Sequence, residues 1–264
     1  MAPETLFWFG LLLKMAVAAG FVIAATVIAE RAGAFIGSLI VTLPVSTGPA
    51  YIFVALDHDA DFVARAASAS VANNVPTLLY TALFIALAQR YNAFVSVGAG
   101  LCVWFLATFL FSQMAWPLVA ALALNVAVTI LLFVLVRRFR EAPMPRMPQQ
   151  WFDLLLRAAL VSLLIAAVVS LSYSLGPEKT GLLASFPVTF TSTMFILHRR
   201  VGGPATAAVM AHSLLGLLGF GFCMAVLSLA AIPVGAPFAL LLALLFSLCW
   251  NAAILLLRRY RAVL

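Results

Sequence analysis

The sequence predicts an all-α polytopic membrane protein: nine transmembrane helices in two inverted-topology repeats, five then four, N-out and C-in. Three observations carry that reading. Of 264 residues, 66% are hydrophobic and only 9% charged, whereas a soluble domain carries roughly a quarter charged residues. Apolar stretches of spanning length recur along the chain between short charged or turn-forming interruptions. The chain also resembles itself at a single ungapped offset.

A helix needs about 20 predominantly apolar residues to cross the hydrocarbon core. Cutting at charge and turn clusters gives spans 6–29, 34–56, 62–88, 93–112 and 116–136 in a first repeat, 1–140. Residues 141–150 lie in a Pro- and Arg-rich linker, RRFREAPMPRMPQQ, and are expected on the cytoplasmic side. Spans 152–174, 181–197, 203–231 and 236–257 make the second, inverted repeat, 151–264. A lipid-exposed backbone must satisfy its own hydrogen bonds, and the period-two alternation of a membrane β-barrel is absent, so helices are the expected form.

Orientation follows from lysine and arginine. With the N-terminus outside, Arg31, Arg90, Arg137, Arg138, Arg140, Arg146, Arg199, Arg200, Arg258, Arg259 and Arg261 fall on the cytoplasmic side. The acidic cluster Asp57, Asp59 and Asp61 and a turn at Glu178-Lys179 fall outside. The N-terminus lacks a positively charged signal-peptide region, so the first span is expected to be retained. The net charge of +7 therefore reads as topology and not as nucleic-acid binding. Cys102, Cys223 and Cys249 form no CxxC pair and are expected as buried structural thiols.

At an offset of 143 residues WFGLLLKMA (8–16) falls on WFDLLLRAA (151–159), LPVS (43–46) on FPVT (186–189), and ARAASAS (64–70) on AAVMAHS (207–213). Five spans separate the copies, an odd number, so the second copy is expected upside down. Because the endings NVAVTILLFVLVRRFR and NAAILLLRRYR look alike, the last span is expected to match span 5, leaving span 4 without a counterpart. This plan resembles that of the bile-acid and drug/metabolite transporter superfamilies, in architecture alone. The resemblance implies a secondary transporter with no cofactor, and it supplies no site residue.

Substrate sites of inverted-repeat transporters lie near the midplane, where interrupted helices of the two halves meet. The paired interruptions here are LPVSTGP and FPVTFTS, with candidate binding residues Pro44, Ser46, Thr47 and Gly48, and Pro187, Thr189, Thr191 and Ser192. Proline frees a carbonyl one turn back, and a nearby hydroxyl either re-bonds it or leaves it to a ligand. The plainer reading is a packing kink whose hydroxyls bond their own helix. Span 3 adds the amides Asn73 and Asn74, and span 8 adds His212 and Ser213, each readable as interhelical glue or as ligand contacts. His212 is the one histidine deep in a span and hence a candidate for proton coupling. Lys14 and Arg157 share a repeat position and read as snorkelling residues or as a symmetric pair of gates or anion guides.

No catalytic constellation and no metal-ligand spacing stands out, and the short loop 57–61 is better read as topology-fixing charge. The expectation is a non-enzymatic bacterial inner (plasma) membrane permease, multi-pass, moving a small polar or amphipathic solute by alternating access between spans 2, 3, 7 and 8. Membrane lipid and a small-molecule solute are the expected partners; nucleic acid is not. Proton or sodium coupling and a homodimer stay open. The alternatives are a lipid or lipid-carrier flippase, which Lys14 and Arg157 would serve, and a non-transporting membrane scaffold or assembly factor.

Overall fold

The computed structural model describes residues 3–31, 44, 46–140 and 151–263. These fold into nine α-helices: α1 Pro3–Arg31, α2 Thr47–Asp57, α3 Ala60–Leu87, α4 Ala93–Ser112, α5 Leu118–Leu135, α6 Trp151–Ala184, α7 Val188–Val201, α8 Gly203–Val234 and α9 Ala236–Val263. Among the described residues, six segments are long and apolar enough to cross a bilayer, the helical stretch Trp151–Val201 counting as one. Large side chains such as Phe94, Phe109, Leu163 and Phe238 face outward, as expected where lipid is the solvent. The chain is an all-helical, multi-pass membrane protein.

The helices do not match the nine expected spans one for one. The sequence predicts a continuous span over 181–197, but the helix stops at Ala184 and restarts at Val188, with Ser185, Phe186 and Pro187 between. Pro187 cannot donate to the preceding turn. The predicted turn at Glu178-Lys179 is helical instead. The break falls earlier, at Gly176, whose φ of 76° is open to glycine at no steric cost. In the first half α2 begins after Pro44; residues 34–43 of the expected span 34–56 lie outside the described residues. With 11 residues in α2 and 14 in α7, these helices reach only about 16 and 21 Å at ~1.5 Å per residue. Neither crosses a ~30 Å hydrocarbon core alone.

The core is built on α3 and α8, which pack antiparallel along their lengths. Ser228 donates to the Ala64 carbonyl near one end (2.8 Å). At the other end Gly203 lies so close to the Ala88 carbonyl that no Cβ fits between them. Helix α1 packs on α6, α4 on α3 and α7, α5 on α3 and α8, and α9 on α8 and α2. Of the three thiols only Cys223 is buried; Cys102 and Cys249 face outward, because on a membrane helix the outer face is as apolar as the inner one.

The segment after Gly176 presses against α3. A Cβ on Gly181 would stand 2.0 Å from the Ala66 carbonyl oxygen, and the Gly181 carbonyl accepts from Ser70 Oγ at 2.8 Å. Ser70 in turn pairs with the Tyr51 hydroxyl of α2 at 2.8 Å. Small residues at such crossings let backbones approach and bond. Gly181→Ala should therefore destabilise the purified protein by about 1–3 kcal/mol, read as a lowered melting midpoint in detergent. An unchanged midpoint would mean that this contact opens without cost.

Candidate functional site

Helix α2 and helix α7 start face to face. In each, the first-turn hydrogen bond is accepted by the carbonyl of the proline at the break: Gly48 N–H to Pro44 at 2.6 Å and Thr191 N–H to Pro187 at 2.8 Å. Neither start carries a side-chain cap. Thr189 Oγ1 donates to Ser46 Oγ at 3.3 Å, joining the two starts directly. Between them lies a half-open cleft.

Ten of its twelve lining residues form five pairs at the 143-residue spacing: Pro44 with Pro187, Ser46 with Thr189, Thr47 with Phe190, Asn74 with Leu217, and Thr77 with Phe220. Ser185 and Phe186 complete the lining, and their counterparts at that spacing lie outside the described residues. In the last three pairs the first-half member is polar and the second-half member apolar. Those three pairs combine a hydrogen-bonding side chain of the first half with an apolar one of the second, and no ionisable residue is among the described lining residues.

Asn74 is buried where α3 crosses α8. Its Nδ2 donates to Asn125 Oδ1 at 2.7 Å and to the Leu217 carbonyl at 2.8 Å. Asn125 Nδ2 is committed to the carbonyls of Val71 and Ala121, each at 2.8 Å, so Asn125 presents oxygen to Asn74 and both amide orientations are fixed. Asn74 Oδ1 is then a buried acceptor without a hydrogen-bond partner. Such an atom costs free energy comparable to a lost hydrogen bond.

Asn73 has a different role. Its Nδ2 donates to Ser185 Oγ at 2.8 Å, and its Oδ1 accepts from Thr108 Oγ1 at 2.7 Å. It ties the second break to α3 and α4. Trp104 Nε1 donates to Thr77 Oγ1 at 3.1 Å, and the Trp104 ring meets Phe186 edge-on with centroids 5.0 Å apart.

Of the residues expected from sequence, the structure brings Pro44, Ser46, Thr47, Asn74, Pro187 and Thr189 to one cleft. Gly48 lies one step inside α2 and outside the lining. Thr191 accepts from the Tyr80 hydroxyl at 3.2 Å, while Ser192 and Ser213 bond back to their own helices. His212 is half-buried on α8 outside the lining, and Lys14 and Arg157 are also outside it. Asn251 donates to Ser247 and Asn125 to Ala121, each one turn back in its own helix. Sequence reasoning missed Thr77, Ser185, Phe186, Phe190, Leu217 and Phe220. Reading the 143-residue spacing from Thr47 and Asn74 finds two of them, Phe190 and Leu217.

Away from the cleft, the far ends of α2 and α7 are each tied to the preceding long helix by an ion pair. Lys14 Nζ of α1 meets Asp57 Oδ1 at 2.7 Å, and Asp153 Oδ2 of α6 meets Arg200 Nη2 at 2.6 Å. Side-chain exposures of 15–20% put these pairs between surface and interior, where Coulomb attraction is less screened than on an open surface. Lys14 is therefore engaged and does not present a free cation. The other loop carboxylates are occupied too, Asp59 capping α3 and Asp61 pairing with Arg65.

His58, in the short loop between α2 and α3, lies 3.8 Å from the Phe62 ring in a stack and bonds Ser172 Oγ at 2.8 Å. Burial lowers its pKa from the ordinary 6.5, outweighing the opposing pull of Asp57 and Asp59. Comparison with protein-family models, with curated proteins and with solved structures gives no match.

Two outcomes follow. Asn125→Leu removes the acceptor that orients Asn74 and should cost about 1–3 kcal/mol, visible as a lowered detergent melting midpoint. Because the fold favours neutral His58, the unfolded chain takes up that proton first, so stability should fall as pH drops below the ordinary value. His58→Gln should flatten that part of the pH–midpoint curve; an equally steep curve in the variant would assign the acid sensitivity elsewhere.

Proposed function

We propose that the protein is a secondary transporter of two inverted repeats, moving a small polar or amphipathic solute through the cleft by alternating access. The observation that carries the reading is the pairing of the cleft lining with itself at one sequence spacing. Two of those pairs are also directly bonded, Ser46 with Thr189 and Asn74 with Leu217, each 143 residues apart. A residue that touches its own repeat mate lies on the axis relating the repeats. The antiparallel run of α3 along α8, from Ala64–Ser228 through Asn74–Leu217 to Ala88–Gly203, fits a two-fold axis perpendicular to both helices. Inverted repeats have this relation and parallel repeats do not.

The last helix supports the same register and corrects the counterpart expected from the chain endings. On α4 the buried positions are Ala93, Ser96, Val97, Gly100 and Trp104. At the same spacing on α9, Ala236, Ala239, Ala243 and Ser247 are buried and Leu240 is partly buried. Helix α9 sits on α8 and α2 as α4 sits on α3 and α7. It is therefore the counterpart of α4, and Asn251 matches Thr108 in place of Asn125. The described residues then hold no counterpart to α5.

The ion pairs fit as latches. Asp57 and Arg200 are repeat mates at the ends of α2 and α7, held to α1 and α6 respectively. In an inverted arrangement these ends lie on opposite faces of the membrane, so each pair closes one route to the cleft.

The test uses single cysteines, Thr47→Cys or Phe190→Cys, in a chain lacking Cys102, Cys223 and Cys249. A membrane-impermeant thiol reagent should reach each site from either face. Lys14→Met with Asp57→Asn should raise labelling from one face, and Asp153→Asn with Arg200→Met from the other, by about threefold to tenfold for pairs worth roughly a kcal/mol. The swap Lys14→Asp with Asp57→Lys should restore the native ratio. Labelling from one face under every condition would sink the alternating-access reading.

A further inference from the structure

We infer that the cleft selects a net-neutral amphiphile whose polar head carries an oxygen acceptor beside an N–H donor, and whose apolar tail lies against Phe186, Phe190 and Phe220. The head is that of a zwitterionic amino acid or of a primary amide. That this ligand is cargo rests on the transporter reading; that it binds does not.

The acceptor side of the head follows from the two helix starts. Each helix N-terminus carries roughly half a positive charge, also where, as here, the N–H groups of Gly48, Val188 and Thr191 are already bonded. Helices α2 and α7 bring two such ends to one cleft, neither capped by a side chain. Together they favour an oxygen bearing partial or full negative charge. The donor side follows from Asn74, 1% exposed, which lines the cleft while its Oδ1 has no hydrogen-bond partner. Its orientation is locked through Asn125, so the amide cannot turn to offer Nδ2 instead. An acceptor so placed is satisfied by a donor on the ligand and repelled by a second bare oxygen.

Net neutrality follows from what lines the cleft. Among its described lining residues there is no lysine, arginine, aspartate or glutamate, and burying an unpaired ion in such a place is costly. The helix ends offset an anionic oxygen and Asn74 Oδ1 offsets a donor; neither a lone anion nor a lone cation satisfies both. The tail follows from the apolar members of those three pairs, Phe190, Leu217 and Phe220, which line the cleft together with Phe186. Trp104 backs that wall through its contact with Phe186. A head without a tail leaves the wall unpartnered.

Five probes that share or lack these parts test the inference on the purified full-length chain: phenylalanine, phenylacetamide, phenylacetate, phenethylamine and glycine. Ligands of the native state raise the melting midpoint by mass action. Phenylalanine, phenylacetamide or both should raise it, the stronger of the two showing whether the head is zwitterionic or dipolar. Phenylacetate, phenethylamine and glycine should require at least about tenfold higher concentration for the same shift. Equal shifts from phenylacetate or phenethylamine, or from glycine, would overturn the inference, as would no shift from the first two. Asn74→Asp keeps the shape and adds a negative charge, and should move the preference to phenethylamine; an unchanged order overturns the role of Asn74. Should that variant not fold, Phe190→Ala serves, with an expected loss of about tenfold in apparent affinity for the favoured probe, and no loss overturns the aromatic wall. A shift with phenylalanine but no vesicle uptake of it would keep the site and reject transport. No shift alongside labelling from both faces would do the reverse.

Discussion

The structure depends on the crossing of α3 and α8 and on the amide held there. Two long helices run antiparallel at a separation that only small residues and shared polar contacts permit. Asn74 stands at the middle of that run and spends both of its amide hydrogens on it, one on α8 and one on α5. In a medium without water, a side-chain amide either finds such partners or costs several kcal/mol. The same geometry that satisfies Nδ2 leaves Oδ1 unsatisfied, on a residue that lines the cleft. The tie between α3 and α8 and the unpartnered acceptor are two ends of one side chain.

Beside that crossing α2 and α7 begin, each just after a proline. Each start exposes polar backbone, and each is repaired in the same way, by the proline carbonyl accepting the next first-turn N–H. What the repair leaves over is a pair of uncapped, positively polarised helix starts facing one another. Their far ends carry charges of opposite sign, Asp57 and Arg200, each neutralised by the neighbouring long helix. The polar centre and the ionic ends are thereby separated along the same two short helices. This separation lets the centre remain free of ionisable groups.

Much of this was legible before any coordinates. The repeat spacing, the two proline–hydroxyl interruptions and the pair of amides in span 3 all point to the cleft. The failures have one cause: in a membrane chain hydrophobicity does not distinguish inside from outside. Apolar character alone could not show that 181–197 is two helices, that Cys102 and Cys249 face outward, or that the apolar Leu217, Phe190 and Phe220 line the cleft. The likeness of the two chain endings reflects a shared interfacial composition, arginines after an apolar run, and so paired the last helix with α5. The buried positions of α9 follow α4 instead, because packing is recorded in the small residues of one face and not in the charged end.

The sequence by itself determined that the chain is helical and membrane-embedded, that it repeats at 143 residues, and that two proline–hydroxyl segments stand at matched positions of the repeat. Composition, periodicity and proline chemistry act locally, and each is complete within a few turns of chain. Only the tertiary structure decided that the two breaks meet and that Asn73 is a tie while Asn74 keeps a free acceptor. It alone also assigned Lys14 to Asp57, against a freely exposed cation. These depend on which donor reaches which acceptor across helices more than a hundred residues apart, or on which charge lies within reach of another, and a linear pattern holds no such distances.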